Sequence, residues 1–518
     1  MSRISPLTEK IIRDLSRIKK ETEESEEIFK VQKTDYTPLK KLISWREEHL
    51  LKRNAIERAL REELFSAKKI ASEIPPISAE SFFTALAHTG IFPNTVARSK
   101  ISKLQEVLNK YAQIISHSPK SGKSKTSFIG WLVDIASCEI EEVLSEREEE
   151  RKILFYTFRS LKNSINIKEE IEEKEKDYLL FIALQQTLFG LDHPTTTYHL
   201  LKLKSETDEF PEEEEYDKEA ERLWKGKRKI DFLFKHPLLK KLYKFCKKRS
   251  APYLVIKSIL KENPEKAKEV FSQPEEVEEK IKNSYEKIEK SIRKKSRRVA
   301  LYATVLVLMI RAAVFFTIEV HAGIERIEIL PMFVNIFTPS LLMALIAFSV
   351  SPPHERNKKK VVLEAMKIIY RKKDDDKCDI EKAKKEKGLL YTLIGILYIF
   401  VFFLIAGAIF WALSLLNFLL FSCIIFMIFV SFASFAGIKI RESATDLHMI
   451  KKNNPLSFFV DILALPVAML LRWINTERKK YGTFSILSGI FLEDPSKIFS
   501  VSLDYWREQL RKRKESIY

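Results

Sequence analysis

The chain has 518 residues, with 89 Lys and Arg against 71 Asp and Glu, a net charge of +18. At 31% charged and 45% apolar it is neither a disordered chain nor membranous throughout, and only 12 Gly and 19 Pro exclude collagen-like and turn-rich all-β architectures in favour of long helices. Cys138, Cys246, Cys378 and Cys423 stand far apart without a CxxC pair, so no disulfide framework is expected.

Residues 1–20 lack the apolar core of a secretion signal, and none is expected. Leu7, Ile11, Leu15 and Ile18 share one face of a helix that runs into an acidic ETEESEE stretch. Thr37-Pro38 opens a second helix, with Leu39, Leu42, Ile43 and Leu50 continued by Ile56, Leu60 and Leu64 until Pro75-Pro76. These two are expected to pair as an antiparallel arm over residues 1–73. Helical patterns then recur across 78–90, 95–116, 128–161 and 167–189, giving a helical domain at 74–207 with no clear β alternation.

Region 208–273 begins with an acidic linker, DEFPEEEEY, and then changes sign. In FKHPLLKKLYKFCKKR, residues 234–249, Leu238, Leu242 and Phe245 form a stripe flanked by Lys240, Lys241 and Lys244. Such a helix either lies on anionic lipid or packs its stripe into the domain. Pro274 opens a stalk helix, 274–298, in which Val277, Ile281, Tyr285, Ile288 and Ile292 recur at coiled-coil spacing. That seam either pairs two protomers or packs within the chain.

Residues 299–320 are 22 almost wholly apolar positions, long enough to cross a hydrocarbon core of about 30 Å. Further apolar stretches follow at 327–350, 389–413 and 415–437, with a forced turn near 414–417. The loops set the orientation, because cationic segments stay on the cytoplasmic side. KSIRKKSRR, residues 290–298, has six cations and no acid, and Arg293, Lys294, Lys295, Arg297 and Arg298 are the expected headgroup anchors. The loop 351–388 has thirteen cations against eight acids. The expectation is a multi-pass protein of the cell membrane with hairpins at 299–350 and 389–437. The N-terminal region, the 351–388 loop and the 438–518 tail are all cytoplasmic.

Within that tail, 458–474 is short and interrupted by Asp461, Pro466 and Arg472, so an interfacial or re-entrant helix is expected. Trp473 and Trp506 suit the headgroup level. Arg311 sits near the middle of the first span and needs a partner, for which Asp461 and Glu319 are the candidates. Pro331 and Pro339 interrupt the second span, while Ala433 and Gly437 offer a small-xxx-small packing face on the fourth.

Chemistry-bearing motifs are few. HSPKSGKS, residues 117–124, resembles the end of a phosphate-binding P-loop but has His117 where the first glycine belongs, so no nucleotide site is expected. His193 and His199 have no carboxylate or Cys at ligand spacing, and HExxH, GxSxG and GxGxxG are absent. No catalytic residue, metal or cofactor is expected. Gly90-Ile91 with Thr95-Val96 and Arg98 resembles the turn and recognition-helix start of bacterial helix-turn-helix repressors. Gly190-Leu191 with Pro194-Thr195 and Tyr198-His199-Leu200 is similar to the same motif in winged-helix regulators. Leu86 and Gln186 stand where a small residue is usual, and an acidic linker that would repel phosphates follows the second; nucleic acid is not an expected partner.

The fold expectation is therefore mainly α. A multi-helix cytoplasmic region is joined by a stalk helix to a polytopic membrane domain of two transmembrane hairpins plus an interfacial or re-entrant helix. The functional expectation is a non-catalytic scaffold or docking platform, whose partners are the bilayer, its anionic headgroups, and an unidentified cytoplasmic protein or a second copy paired through the stalk. The alternatives are a transporter or channel component using Arg311 and Asp461, and a membrane-tethered helix-turn-helix regulator.

Overall fold

The computed structural model describes residues 4–22, 27–31, 45–70, 77–117, 123–145, 148–162, 164–168, 171–204, 216–262, 267–320, 329–348, 355–370, 378–380 and 388–444, and after these only 447, 449, 460, 462–464 and 466–467. It is mainly α, with seventeen helices and four three-residue strands among those residues. The chain divides into two compact units, Met1–Ile281 with Val362–Ala383, and Lys282–Val361 with Lys384–Tyr518.

The first unit opens with α1 (Pro6–Thr22), β1 (Ile28–Lys30), α2 (Trp45–Ile70), α3 (Ala79–His88), β2 (Thr95–Ala97), α4 (Arg98–Ser116), α5 (Lys123–Leu144) and α6 (Glu148–Lys162). It continues through β3 (Ile165–Ile167), α7 (Glu173–Leu184), α8 (His193–Lys204), α9 (Tyr216–Lys235), α10 (Pro237–Lys248), α11 (Ser250–Glu262) and α12 (Ala267–Ser272). As its 3–4 spacing requires, α1 buries Ile11 and Leu15, but it lies on α6, where the Thr8 and Tyr156 hydroxyls share a 3.0 Å hydrogen bond. Among the described residues the main packing of α1 is on α6 rather than on α2. Helix α2 lies instead against α5, with Ile56 and Leu60 entering the same apolar core as Leu132, Val133, Ala136 and Ile140.

Among the described residues, strand pairing is confined to two short ladders. β1 runs antiparallel to β2 with Phe29 opposite Val96, and β3 runs parallel to β4 (Cys378–Ile380) with Asn166 opposite Asp379. Three residues show no period-two pattern, which is why no strand is expected from sequence. The stripe of α10 turns into the unit: Leu238 and Leu242 are fully buried with Cys246 beside them, Phe245 is half-buried, and the helix packs on α7. Of the two readings of that basic helix, packing is the one observed.

The remaining helices are α13 (Pro274–Val314), α14 (Ile329–Phe348), α15 (Glu355–Tyr370), α16 (Gly388–Ser414) and α17 (Leu420–Ala444). Among the described residues three helices are long and apolar enough to cross a membrane, Pro274–Thr317, Ile329–Ile346 and Leu420–Ile438. A shorter apolar helix, Ile399–Ser414, falls on the third expected span. The turn after α16 falls where the sequence requires it. Asn417 takes a left-handed φ of 60°, and Phe418 N–H bonds to Leu413 C=O, closing a carbonyl left open by the helix end.

Helix α17 packs on α14 through small residues. A Cβ on Gly437 would stand 2.9 Å from Ile346, so only glycine permits this approach, and Ala433 is buried in the cluster that contains Met343. The first part of the stalk seam is buried within the single chain, with Val277, Ile281 and Tyr285 no more than 1% exposed, while Ile288 and Ile292 are half-buried.

Candidate functional site

Three groups of polar residues stand out, two expected from sequence and one not. The first is Arg311, whose side chain is 0% exposed on α13. Its guanidinium donates to the side-chain carbonyl of Asn335 on α14, itself fully buried, and lies 5.2 Å from the centre of the Phe429 ring on α17. An amide dipole and an aromatic face thus receive the cation, and they tie three helices together. Neither Asn335 nor Phe429 is among the expected partners. Asp461 and Arg472 lie outside the described residues, as does the side chain of Glu319, whose backbone belongs to the π-helical turn Phe315–Val320 ending α13.

The second group is the basic face of α13. Arg293, Lys294, Arg297 and Arg298 fall on the helix just before its apolar stretch; Arg293 is held 2.6 Å from Glu289, while Lys294, Arg297 and Arg298 point to solvent. Lys295 is on the same helix, and its side chain lies outside the described residues. On α10, Lys240 and Lys244 are exposed and Lys241 is half-buried, without a free apolar face beneath them.

The third group was missed. Where α2, α5 and the start of α8 meet, charged side chains from all three are enclosed. Asp192 caps α8, its carboxylate accepting from Thr195 N–H at 3.2 Å and from the Thr195 hydroxyl at 2.6 Å. Its other oxygen is 3.1 Å from Nε of Arg53, a charge contact off the hydrogen-bonding direction, and both side chains are about 10% exposed. The Thr195 hydroxyl has given its hydrogen to Asp192, so it accepts from Nε2 of His49 at 3.0 Å, while Nδ1 of that ring faces Glu141 at 3.0 Å. Burial alone would raise the pKa of Asp192, but the Arg53 guanidinium and His49 beside it hold it below the usual carboxylate range. Asp134, more deeply desolvated than compensated and next to Glu57, is pushed up to about 7. Burial lowers His199, whose Nδ1 contacts Gln185 at 3.0 Å, to about 4. Gln185 begins a π-helical turn, Gln185–Phe189, that ends at left-handed Gly190.

The order Glu141, His49, Thr195 is that of an acid–base–nucleophile chain, yet it lacks what such a chain needs. His49 and Glu141 are 2% and 3% exposed and Thr195 is equally enclosed, so no substrate reaches the hydroxyl. The hydroxyl hydrogen is committed to Asp192 rather than to the imidazole. This is an internal ionic lock joining three helices.

No protein-family model matches the chain, and no curated protein and no solved structure matches it. The local geometry alone bears on the resemblances. Gly90 has the expected positive φ of 70°, but Thr95 and Val96 are in β2, paired with β1, and α4 begins only at Arg98. In the second stretch α8 does follow Gly190, but Thr195, Thr196, Thr197 and Tyr198 on it are buried, which leaves that face unavailable to a DNA groove. Of HSPKSGKS, residues 118–122 lie outside the described residues, and Lys123 opens α5.

Proposed function

We propose that this chain is a multi-pass membrane protein of two transmembrane hairpins that acts as a non-catalytic scaffold, presenting its helical unit on the cytoplasmic side. One observation carries the topology. Asn357, at the start of α15 and 2% exposed, donates to the Tyr285 hydroxyl at 3.0 Å and to Leu447 C=O at 2.9 Å, and accepts from Met449 N–H at 2.8 Å. Tyr285 precedes the first apolar stretch, Asn357 follows the second, and Leu447 and Met449 follow the fourth. Three segments bound to one side chain lie on one side of a bilayer, so each pair of spans leaves and returns there. The cations at 290–298 and 351–388 make that side cytoplasmic.

The same reasoning supports a dipping segment at 458–474. Val460, Ile462 and Ala464 are buried, and Leu463 belongs to the apolar cluster of Phe426 and Val430 on α17. Residues at that depth among the spans favour re-entry over an interfacial position. The scaffold reading is supported by the enclosure of the Glu141–His49–Thr195 chain, and the contacts of Arg311 with Asn335 and Phe429 support a part in helix assembly.

Thiol labelling of full-length variants in a background lacking the four native cysteines tests the topology. With an impermeant reagent, Asn417→Cys is expected to react in intact cells, and Lys359→Cys and Ser516→Cys only after permeabilisation. Reaction of Lys359→Cys in intact cells would overturn the two-hairpin reading; reaction of Ser516→Cys would make 458–474 a fifth span.

A further inference from the structure

A cavity of about 740 Å³ opens where the basic face of α13 meets the first turn of α15. Its walls are not mixed at random. Along α13, Arg293, Lys294, Arg297 and Arg298 stand three, four, seven and eight positions after Lys290, so they share one face and line the same space, and Lys358 faces them from α15. Three acids also line it, but two are answered: Glu286 lies 2.6 Å from Lys358, and Glu289 lies 2.6 Å from Arg293. Glu355 adds its field to Lys358. Six cations against three acids leave a surplus of positive charge. Lys294, Arg297 and Arg298 carry most of it, with no ion pair among the described residues.

The base of the cavity is tied by hydrogen bonds. Tyr285 is 1% exposed there and is pinned by Asn357, which also holds the chain after α17, so the cavity wall is set by the same knot that joins three segments. Its rim is apolar. Leu301 and Tyr302, at the end of the lining, are 53% and 49% exposed and continue into the apolar face of α13 that includes Val305 and Met309. A cationic chamber thus grades, within about two helical turns, into a surface made for hydrocarbon. Free phosphate would be served by the cations alone and has no use for the apolar exit. A lipid uses both.

We propose that this cavity is a binding site for the phosphate-bearing headgroup of an anionic phospholipid. The phosphate sits among Lys294, Arg297 and Arg298, and the acyl chains leave along Leu301 and Tyr302. Arginine forks suit phosphate oxygens, and a fixed cavity differs from a diffuse polybasic segment in that it selects headgroup as well as charge. The proposal rests on the membrane reading above, because the apolar exit has meaning only if Leu301 lies in lipid.

The test uses the full-length protein in detergent micelles, with a fluorescent phosphatidate as probe, phosphatidylcholine as the zwitterionic comparison and inorganic phosphate as competitor. Two variants remove equal charge: Arg297→Gln with Arg298→Gln inside the cavity, and Lys359→Gln with Lys360→Gln on exposed positions of α15 that do not line it. Each cation near a membrane surface is worth about a fivefold factor. The cavity variant is therefore expected to hold phosphatidate about thirtyfold more weakly, with the α15 variant within about twofold of the unaltered protein. An equal loss in both variants, or none in the cavity variant, would overturn the site. Displacement of the probe by phosphate at concentrations matching the lipid would overturn the lipid as its occupant. Resistance of each variant to carbonate extraction from membranes is measured separately: extraction of the unaltered protein would refute the membrane reading itself, and with it the proposal.

Discussion

Replacing Arg53 with Met tests whether the centre joining α2, α5 and α8 is an ionic lock closed to water. The side chain is 9% exposed and faces Asp192 at 3.1 Å and Glu57 at 3.4 Å, with Asp134 near enough to feel its charge. Removing the guanidinium while keeping the stem leaves the Asp192 carboxylate enclosed with only His49 and Thr195 to answer it. Breaking one partner out of a buried pair costs about 3–5 kcal/mol. Native-state amide exchange on the full chain, read at peptides of α5 and α8, is expected to show protection falling by between about a hundredfold and a few thousandfold. Asp192→Asn keeps the cap on α8, because the amide oxygen still accepts from Thr195. The double variant Arg53→Met with Asp192→Asn should therefore cost at least about 2 kcal/mol less than the sum of the two single changes. A loss in Arg53→Met smaller than tenfold, with additive single effects, would mean that water reaches the centre and that the lock is an ordinary surface contact.

The other expectations concern both units. Asn335→Leu removes a hydrogen-bond acceptor from the Arg311 guanidinium and is expected to destabilise the folded protein in membranes by about 1–3 kcal/mol, whereas Arg311→Met with Asn335→Leu recovers it; no loss for Asn335→Leu alone would refute the assignment of Asn335 as partner. Gly437→Val should disrupt the packing of α14 on α17 by about 1–3 kcal/mol and be relieved by Ile346→Ala, measured as thermal stability in detergent; no relief would mean that the contact is not the cause. Two groups oppose each other in acid. His199, lowered to about 4, loses stability as pH falls below 6.5, while Asp134, raised to about 7, loses stability as pH rises from 4 toward 7. The unaltered protein should change little between those limits; His199→Gln should decline as pH rises and Asp134→Asn as pH falls, and matching profiles for the two variants would refute the assignment.

How much of this was legible depends on the range of the signal. The apolar stretches are legible because a bilayer demands an uninterrupted run, and the turn at 414–417 because no helix through both spans fits any membrane. The amphipathic face of α1 is legible too, but not the identity of the face it meets, since Ile11 and Leu15 would satisfy α2 as well as α6. The ionic lock was invisible for the same reason: Arg53, Asp134 and Asp192 read as ordinary solvated charges until the fold brings residues some 80 and 140 positions apart into one centre. Nor does a three-residue strand such as β4 announce that residues 378–380 join the unit built mostly from the first 281.

Arg53 and Arg311, both buried, meet different kinds of contact. Arg53 is surrounded by carboxylates within a unit whose neighbouring helix surfaces still reach water, where a desolvated pair is tolerable once Thr195 and His49 complete its contacts. Arg311 stands on the buried face of α13 with Val307 and Phe315, on a helix whose other face, with Leu301, Val305 and Met309, is exposed to the surroundings of the spans. There a carboxylate partner would add a second ion to be stripped of water. Asn335 and Phe429 instead offer a dipole and a ring quadrupole, neither of which carries a charge of its own to desolvate. Sequence reasoning looked for an opposite charge because Coulomb's law favours one. Asn335 and Phe429 are contacts of low desolvation cost, and through them Arg311 ties α13, α14 and α17 together.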